Sequence, residues 1–224
     1  MSFACARLSC LSLAAVLTLP LAAQAQCVAP MATALLERFI PADCAACWSG
    51  GAAPAGAPFV LDWIVPSPRG GEAALSTAAI AEATARAGAM VQPGTKERRV
   101  ALPALPGLIV EVEDGPGWSG YVGLQLRVRH EAGALPAGAV GYLALVENVA
   151  AGDEGTPVER RLVRVLAGPL LLDGSRAVTE HLLALRVPQG ANTGRLGAVG
   201  WVERAPGQVI ALAPAPRGGC AAPA

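Results

Sequence analysis

The chain has 224 residues, with 17 acidic and 17 basic side chains and a formal net charge of zero. Aromatic residues make up 4% and charged residues 15% of it. Without a Lys/Arg block or a basic stripe, it offers no electrostatic footprint for nucleic acid. The pairs Arg98-Arg99 and Arg160-Arg161 read as exposed strand ends rather than phosphate clamps.

Residues 1–25 read as a secretory signal. Arg7 supplies the positive charge, Leu11 to Ala23 is an apolar run, and Ala23-Gln24-Ala25 fits the small-x-small cleavage rule. The run is short for a spanning helix, which needs about 20 apolar residues. No other stretch is long and apolar enough to span, so the mature chain is expected to lack a transmembrane segment. Cys27 sits where a lipidated cysteine is sometimes found, but Gln24 and Gln26 break the lipobox pattern. Export favours the periplasm or the outside of a bacterium. The scarcity of lysine, with Lys96 alone, and the richness in Ala, Gly, Pro and Arg favour a bacterial over a eukaryotic route.

Cleavage leaves Cys27, Cys44, Cys47 and Cys220. An even count in an exported protein suggests disulfides, and four cysteines allow three pairings. A local Cys44–Cys47 bond leaves Cys27 to pair with Cys220, and termini often lie close together in a compact domain. The other reading leaves Cys220 free in the tail, 217–224.

Thr33 to Ile40 is an apolar run interrupted by Glu37 and Arg38, too short for its period to decide between helix and strand. Asp43 is a candidate N-cap that places Cys44 at the first helical position. The segment from Trp48 to Pro58 is rich in Gly and Pro and a poor helix. Phe59 to Val65 reads as a buried strand, and Ser76 to Ala87 as a helix stopped by Gly88. Residues 91–99 read as a linker.

From Val100 the pattern turns to period two. Leu108 to Glu113, Val122 to Arg129, Ala139 to Val149, Val158 to Leu166 and Val178 to Val187 are strands, with Leu170 to Leu172 a possible extension of the fourth. Two more flank the Pro206-Gly207 turn. Several strands joined by turn-rich connections point to an antiparallel sandwich.

The candidate site is Cys44-Ala45-Ala46-Cys47. A thiolate attacks disulfides, and a helix N-terminus lowers a thiol's pKa. Cys44 is then the attacking sulfur and Cys47 the resolving one. A static local disulfide is the competing reading, and a metal site the third. A metal would need further ligands, and His130 and His181 lie far away in β patterns. No G-x-S-x-G elbow, phosphate loop or carboxylate pair stands out. Trp63 and Trp201 read as core residues, and Trp118 as the tryptophan most exposed.

Glu37-Arg38-Phe39 followed by Cys44-Ala45-Ala46-Cys47 resembles exported bacterial thioredoxin-like proteins of uncharacterised function. The strand Phe59 to Val65, the segments Tyr142 to Asn148 and Arg161 to Leu166, and the closing hairpin are similar too. The resemblance implies an α+β chain: a short thioredoxin-like segment over 26–99, then an antiparallel β-sandwich over 100–216. It implies redox roles for Cys44 and Cys47, no cofactor, and other exported proteins as partners in thiol–disulfide exchange. The alternative is a non-enzymatic envelope protein whose sandwich binds a protein or small ligand, with the Cys-x-x-Cys pair only a staple.

Overall fold

The computed structural model describes residues 32–56, 58–88, 94–103 and 105–216. The expected signal (1–25), the tail (217–224) and the Cys27–Cys220 bond lie outside them.

The apolar run around Glu37 resolves as a strand, β1 (Ala34–Pro41). A single helical turn, α1 (Ala45–Ser49), follows it. Gly50 and Gly51 end that turn, because glycine in a helix costs about 1 kcal/mol against alanine. Strand β2 (Phe59–Val65) then pairs with β1 in parallel.

The expected helix over 76–87 is broken. Ser76–Ala78 is a turn of 3-10 helix, and α2 (Ala81–Ala87) begins only after Ile80. The break lies at β2, where Ala79 bridges Ile64 and the Ile80 N–H donates to the Ile64 carbonyl at 3.2 Å. Part of the expected linker is strand β3 (Lys96–Ala101), antiparallel to β1. The expected boundary between residues 99 and 100 falls inside this strand.

The remaining strands are β4 (Leu108–Trp118), β5 (Tyr121–His130), β6 (Val140–Val149), β7 (Arg160–Leu171), β8 (Val178–Arg186), β9 (Leu196–Glu203) and β10 (Val209–Pro214). They complete two sheets. The larger has seven strands in the order β10-β9-β6-β7-β2-β1-β3, and the smaller is β4-β5-β8. Parallel pairing of β2 with β7, at Asp62 and Leu162, joins the early strands to the later ones.

This overturns the expected fold class. The described residues are mostly β, 49% strand and 14% helix, built on a curled seven-stranded mixed sheet with a three-stranded sheet against it. The described residues contain no thioredoxin-like α/β segment. The physical reason is that the Gly/Pro-rich stretch behind Cys47 supplies only one helical turn. The first three strands bury their faces by joining the later ones.

Strands β6 and β9 are buried on both faces. Leu143, Leu145, Ala198 and Val202 pack against Leu124, Leu126 and Val128 of the small sheet. Ala144, Val146, Val199 and Trp201 point into the curl, with Leu35, Phe39, Leu61 and Trp63 from β1 and β2. The two sheets approach closely at Gly200, where an added Cβ would lie 2.7 Å from Val112 and 2.8 Å from Leu126.

The mouth of the curl is closed by charge. Arg86 of α2 pairs with Glu37 of β1 and, at 2.8 Å, with Glu203 of β9. Arg98 of β3 donates to Glu37 at 2.6 Å and to the Arg86 carbonyl at 3.2 Å. The Arg86 guanidinium lies 5.0 Å from the ring of Trp201 and 5.3 Å from that of Trp63. Burial pushes its pKa down, but the carboxylates of Glu37 and Glu203 outweigh burial and hold it above the ordinary arginine value.

Candidate functional site

Cys44 and Cys47 form a disulfide with Cα atoms 5.2 Å apart. Cys44 itself is the N-cap of α1, with no side-chain cap, and Asp43 lies exposed one residue earlier. This corrects the expected capping by Asp43. The turn is set by backbone bonds: Cys44 N–H to the Pro41 carbonyl at 3.0 Å, and Cys47 N–H to the Cys44 carbonyl at 3.0 Å. Both cysteines are half-buried, and Cys47 packs on a small core of Ile40, Ala42, Trp48 and Ile64.

Behind this turn lies a buried ionic cluster. Arg38 on β1 and Asp62 on β2 stand directly opposite in the parallel register, with Arg38 Nε 2.7 Å from Asp62 Oδ1. Arg160 at the start of β7 donates Nη1 to the same carboxylate at 3.2 Å, and the Arg161 N–H donates to it at 3.1 Å. The Arg160 Nε donates to Thr156 Oγ1 at 2.9 Å.

Arg160 also holds the cysteine turn. Its Nη2 donates to the carbonyls of Trp48 and Gly50, each at 2.8 Å, and its guanidinium lies 5.2 Å from the Trp48 ring. Trp48 is buried and its indole N–H donates to the Glu154 carbonyl at 2.8 Å. Burial, with Arg38 beside it, pushes the Arg160 guanidinium below an ordinary arginine, and Asp62 opposes that shift. Two guanidiniums share the Asp62 carboxylate beneath α1, and Glu97, opposite Arg38 on β3, adds a second negative charge that acts on Arg160.

Sequence reading leaves Asp62 and Arg38 without a role and expects Arg160 at an exposed strand end, whereas all three are buried. A signal was present: Asp62 interrupts the apolar strand FVLDWIV, and Arg38 interrupts ALLERFIP. A lone charge inside a buried strand needs an opposite charge across the ladder.

The other singled-out residues do not gather here. His130 and His181 each bond a backbone carbonyl, of Ala134 at 2.8 Å and Leu171 at 2.9 Å. No group of three or more His, Cys, Asp or Glu able to hold a metal occurs among the described residues. Trp63 and Trp201 are buried and Trp118 is exposed. A cleft of about 430 Å³ lies elsewhere, lined by Phe59, Asp114, Asn148 and Arg195 among others, and neither cysteine borders it. No helix of the described residues is long and apolar enough to cross a membrane.

The class these features define is a mixed-β protein carrying a half-buried Cys-x-x-Cys disulfide on a buried ionic cluster. No protein-family model matches the chain, and no curated protein matches it in sequence. Among solved structures, HBP35 of Porphyromonas gingivalis is similar at a TM-score of 0.49 and 9% identity, over 82% of this chain and 74% of that one.

Proposed function

We propose that the protein is exported and exchanges thiols and disulfides through Cys44 and Cys47. The observation that carries this reading is the grip of Arg160 on the Trp48 and Gly50 carbonyls. The cysteine turn is held in place by contacts that do not involve sulfur. The disulfide can then open and close without unfolding the segment that bears it.

A staple is the weaker reading on energetic grounds. Closing a loop of about four residues stabilises by only about 2 kcal/mol in the chain-entropy model, against about 3 for a 15-residue loop. A bond of that size adds little to a turn already fixed by Arg160, Trp48 and Glu154.

In the exchange, a thiolate of a protein partner attacks Cys44 Sγ. The Cys44–Cys47 bond breaks and Cys47 leaves as the thiolate. A second partner thiolate attacks the mixed disulfide and releases Cys44, so two electrons enter this protein and the partner's cysteines become a disulfide. The reverse sequence oxidises Cys44 and Cys47 back to the starting bond. No cofactor enters the scheme.

The test is a redox titration of the purified protein against glutathione or dithiothreitol, read by thiol alkylation and circular dichroism. Reversible reduction with the fold retained, a Cys44 pKa below that of a free thiol, and a mixed disulfide trapped in Cys47→Ser support the proposal. A reduced protein that loses its tertiary signal, or a Cys44 pKa at or above about 8.5, would sink it.

A further inference from the structure

Four strand edges end the two sheets, and three of them are guarded against pairing with another chain. Strand β3 carries Lys96, Glu97, Arg98 and Arg99. Strand β10 ends in Pro214 and shifts register between Val209 and Ala211. Strand β4 contains Pro116 and shifts register between Asp114 and Gly117. Charges, prolines and bulges are the usual protections of a sheet edge.

The fourth edge, β8, has neither a proline nor a bulge, and its edge-facing charges, Glu180 and Arg186, are of opposite sign. Its nine residues, VTEHLLALR, contain no glycine or proline and pair with β5 without a register shift. No other strand of the described residues pairs with it. The Ala177 carbonyl accepts from the His130 N–H at 2.8 Å, and the Val187 N–H donates to the Gly120 carbonyl at 2.8 Å. Bonded pairs alternate along an antiparallel ladder. The odd residues between them therefore bond to β5. Val178, Glu180, Leu182, Ala184 and Arg186 turn their N–H and C=O groups to the free edge.

The side chains of these same residues are exposed, and Leu182 is 76% exposed. Beside them on the outer face stand Tyr121, opposite Arg186, and Trp118, opposite Tyr121 and 81% exposed.

We propose that β8 pairs antiparallel with β8 of a second copy of this chain, about a two-fold axis through Leu183. The argument is self-complementarity. An axis at Leu183 sets Glu180 of each copy opposite Arg186 of the other. It also sets Leu182 opposite Ala184. Both pairs join residues whose backbone groups face the edge, so they form the bonded positions of the new ladder. Pro188 falls opposite Val178 and ends it. The product is a continuous six-stranded antiparallel sheet with Leu182, Tyr121 and Trp118 of both copies on one face. Closed two-fold pairing of this kind removes the open edge and stops at two copies.

Sedimentation velocity on the purified protein tests the proposal, together with three variants and amide exchange. The protein is expected to dimerise with concentration. Glu180→Arg places like charges opposite at both ends and is expected to weaken the dimer at least about tenfold. Leu182→Lys is expected to weaken it as well. The double variant Glu180→Arg/Arg186→Glu re-forms the opposite-charge pairs and is expected to recover most of the loss. Amides of Glu180, Leu182, Ala184 and Arg186 are expected to exchange slowly only in concentrated samples. A monomer at up to about 1 mM overturns the proposal. A dimer indifferent to Glu180→Arg, or a double variant no better than the single, overturns it equally.

Discussion

Asp62 is the residue on which the cysteine site depends most. It is fully buried and accepts from Arg38, Arg160 and the backbone of Arg161. Removing one member of a buried ion pair leaves the other charge without compensation, at a cost of about 3–5 kcal/mol. Asp62→Ala leaves two guanidiniums in that state. It is expected to lose stability in that range by urea denaturation, and to loosen Trp48, seen as a change in its fluorescence. A loss below about 1 kcal/mol would show that the cluster is solvated rather than buried. Asp114 gives the opposite sign. Burial of its carboxyl at the cleft wall pushes its pKa up, against hydrogen bonds from the backbone of Asp114 and Ala198. Its folded pKa thus lies above its unfolded one, so the native state holds more protons between the two values. Stability from this group therefore falls as pH rises through that window. Asp114→Asn is expected to be slightly more stable than the parent at pH 7 and equal to it near pH 3. The gain stays under about 1 kcal/mol because the residue as a whole is exposed and screened. Unfolding curves at the two pH values check it; an unchanged difference between them refutes the sign.

At the scale of the element, what could be read from the sequence followed from how each strand is solvated. Strand β5 alternates Val122, Leu124, Leu126 and Val128 against polar residues, because one face meets the core and the other meets water. The period showed it directly. Strand β2 was legible as a short apolar run because both its faces are covered. Strand β3 was not. KERRVA opens with four charged residues, and its arginines are held by partners remote in sequence: Arg98 by Glu37, Arg99 by the Ala55 carbonyl. The helix expected over 76–87 forms only in its second half, as α2, since the break at Ala79 and Ile80 is imposed by the edge of β2. The candidate site divided in the same way. Cys44 and Cys47 carry their chemistry in their spacing, whereas Arg160 reaches the turn from more than a hundred residues away. Its role could not be assigned before the parallel β2–β7 contact was known.

For the whole molecule, that contact decides how the chain folds and unfolds. The core inside the curl draws Leu35, Phe39, Leu61 and Trp63 from the first three strands, and Ala144, Val163, Val199 and Trp201 from the later ones. Trp63 and Trp201 meet edge to face with ring centroids 6.4 Å apart. The charged closure spans the same division, since Glu37, Arg86 and Arg98 belong to one side and Glu203 to the other. Either half alone would expose the apolar inner face that the other covers, and would leave Glu37 or Glu203 without its full set of partners. A shared core of this kind makes unfolding cooperative. The near-ultraviolet signal from the Trp63–Trp201 pair and the far-ultraviolet signal from the strands are therefore expected to fall together in denaturant, with one midpoint. A chain cut between residues 99 and 100 is expected to give two fragments that are unfolded apart and regain the tryptophan signal when mixed, because the cut lies inside β3 and leaves each piece half of one core. Two separate transitions, or a 26–99 fragment with a native near-ultraviolet spectrum of its own, would show instead that the first three strands fold independently.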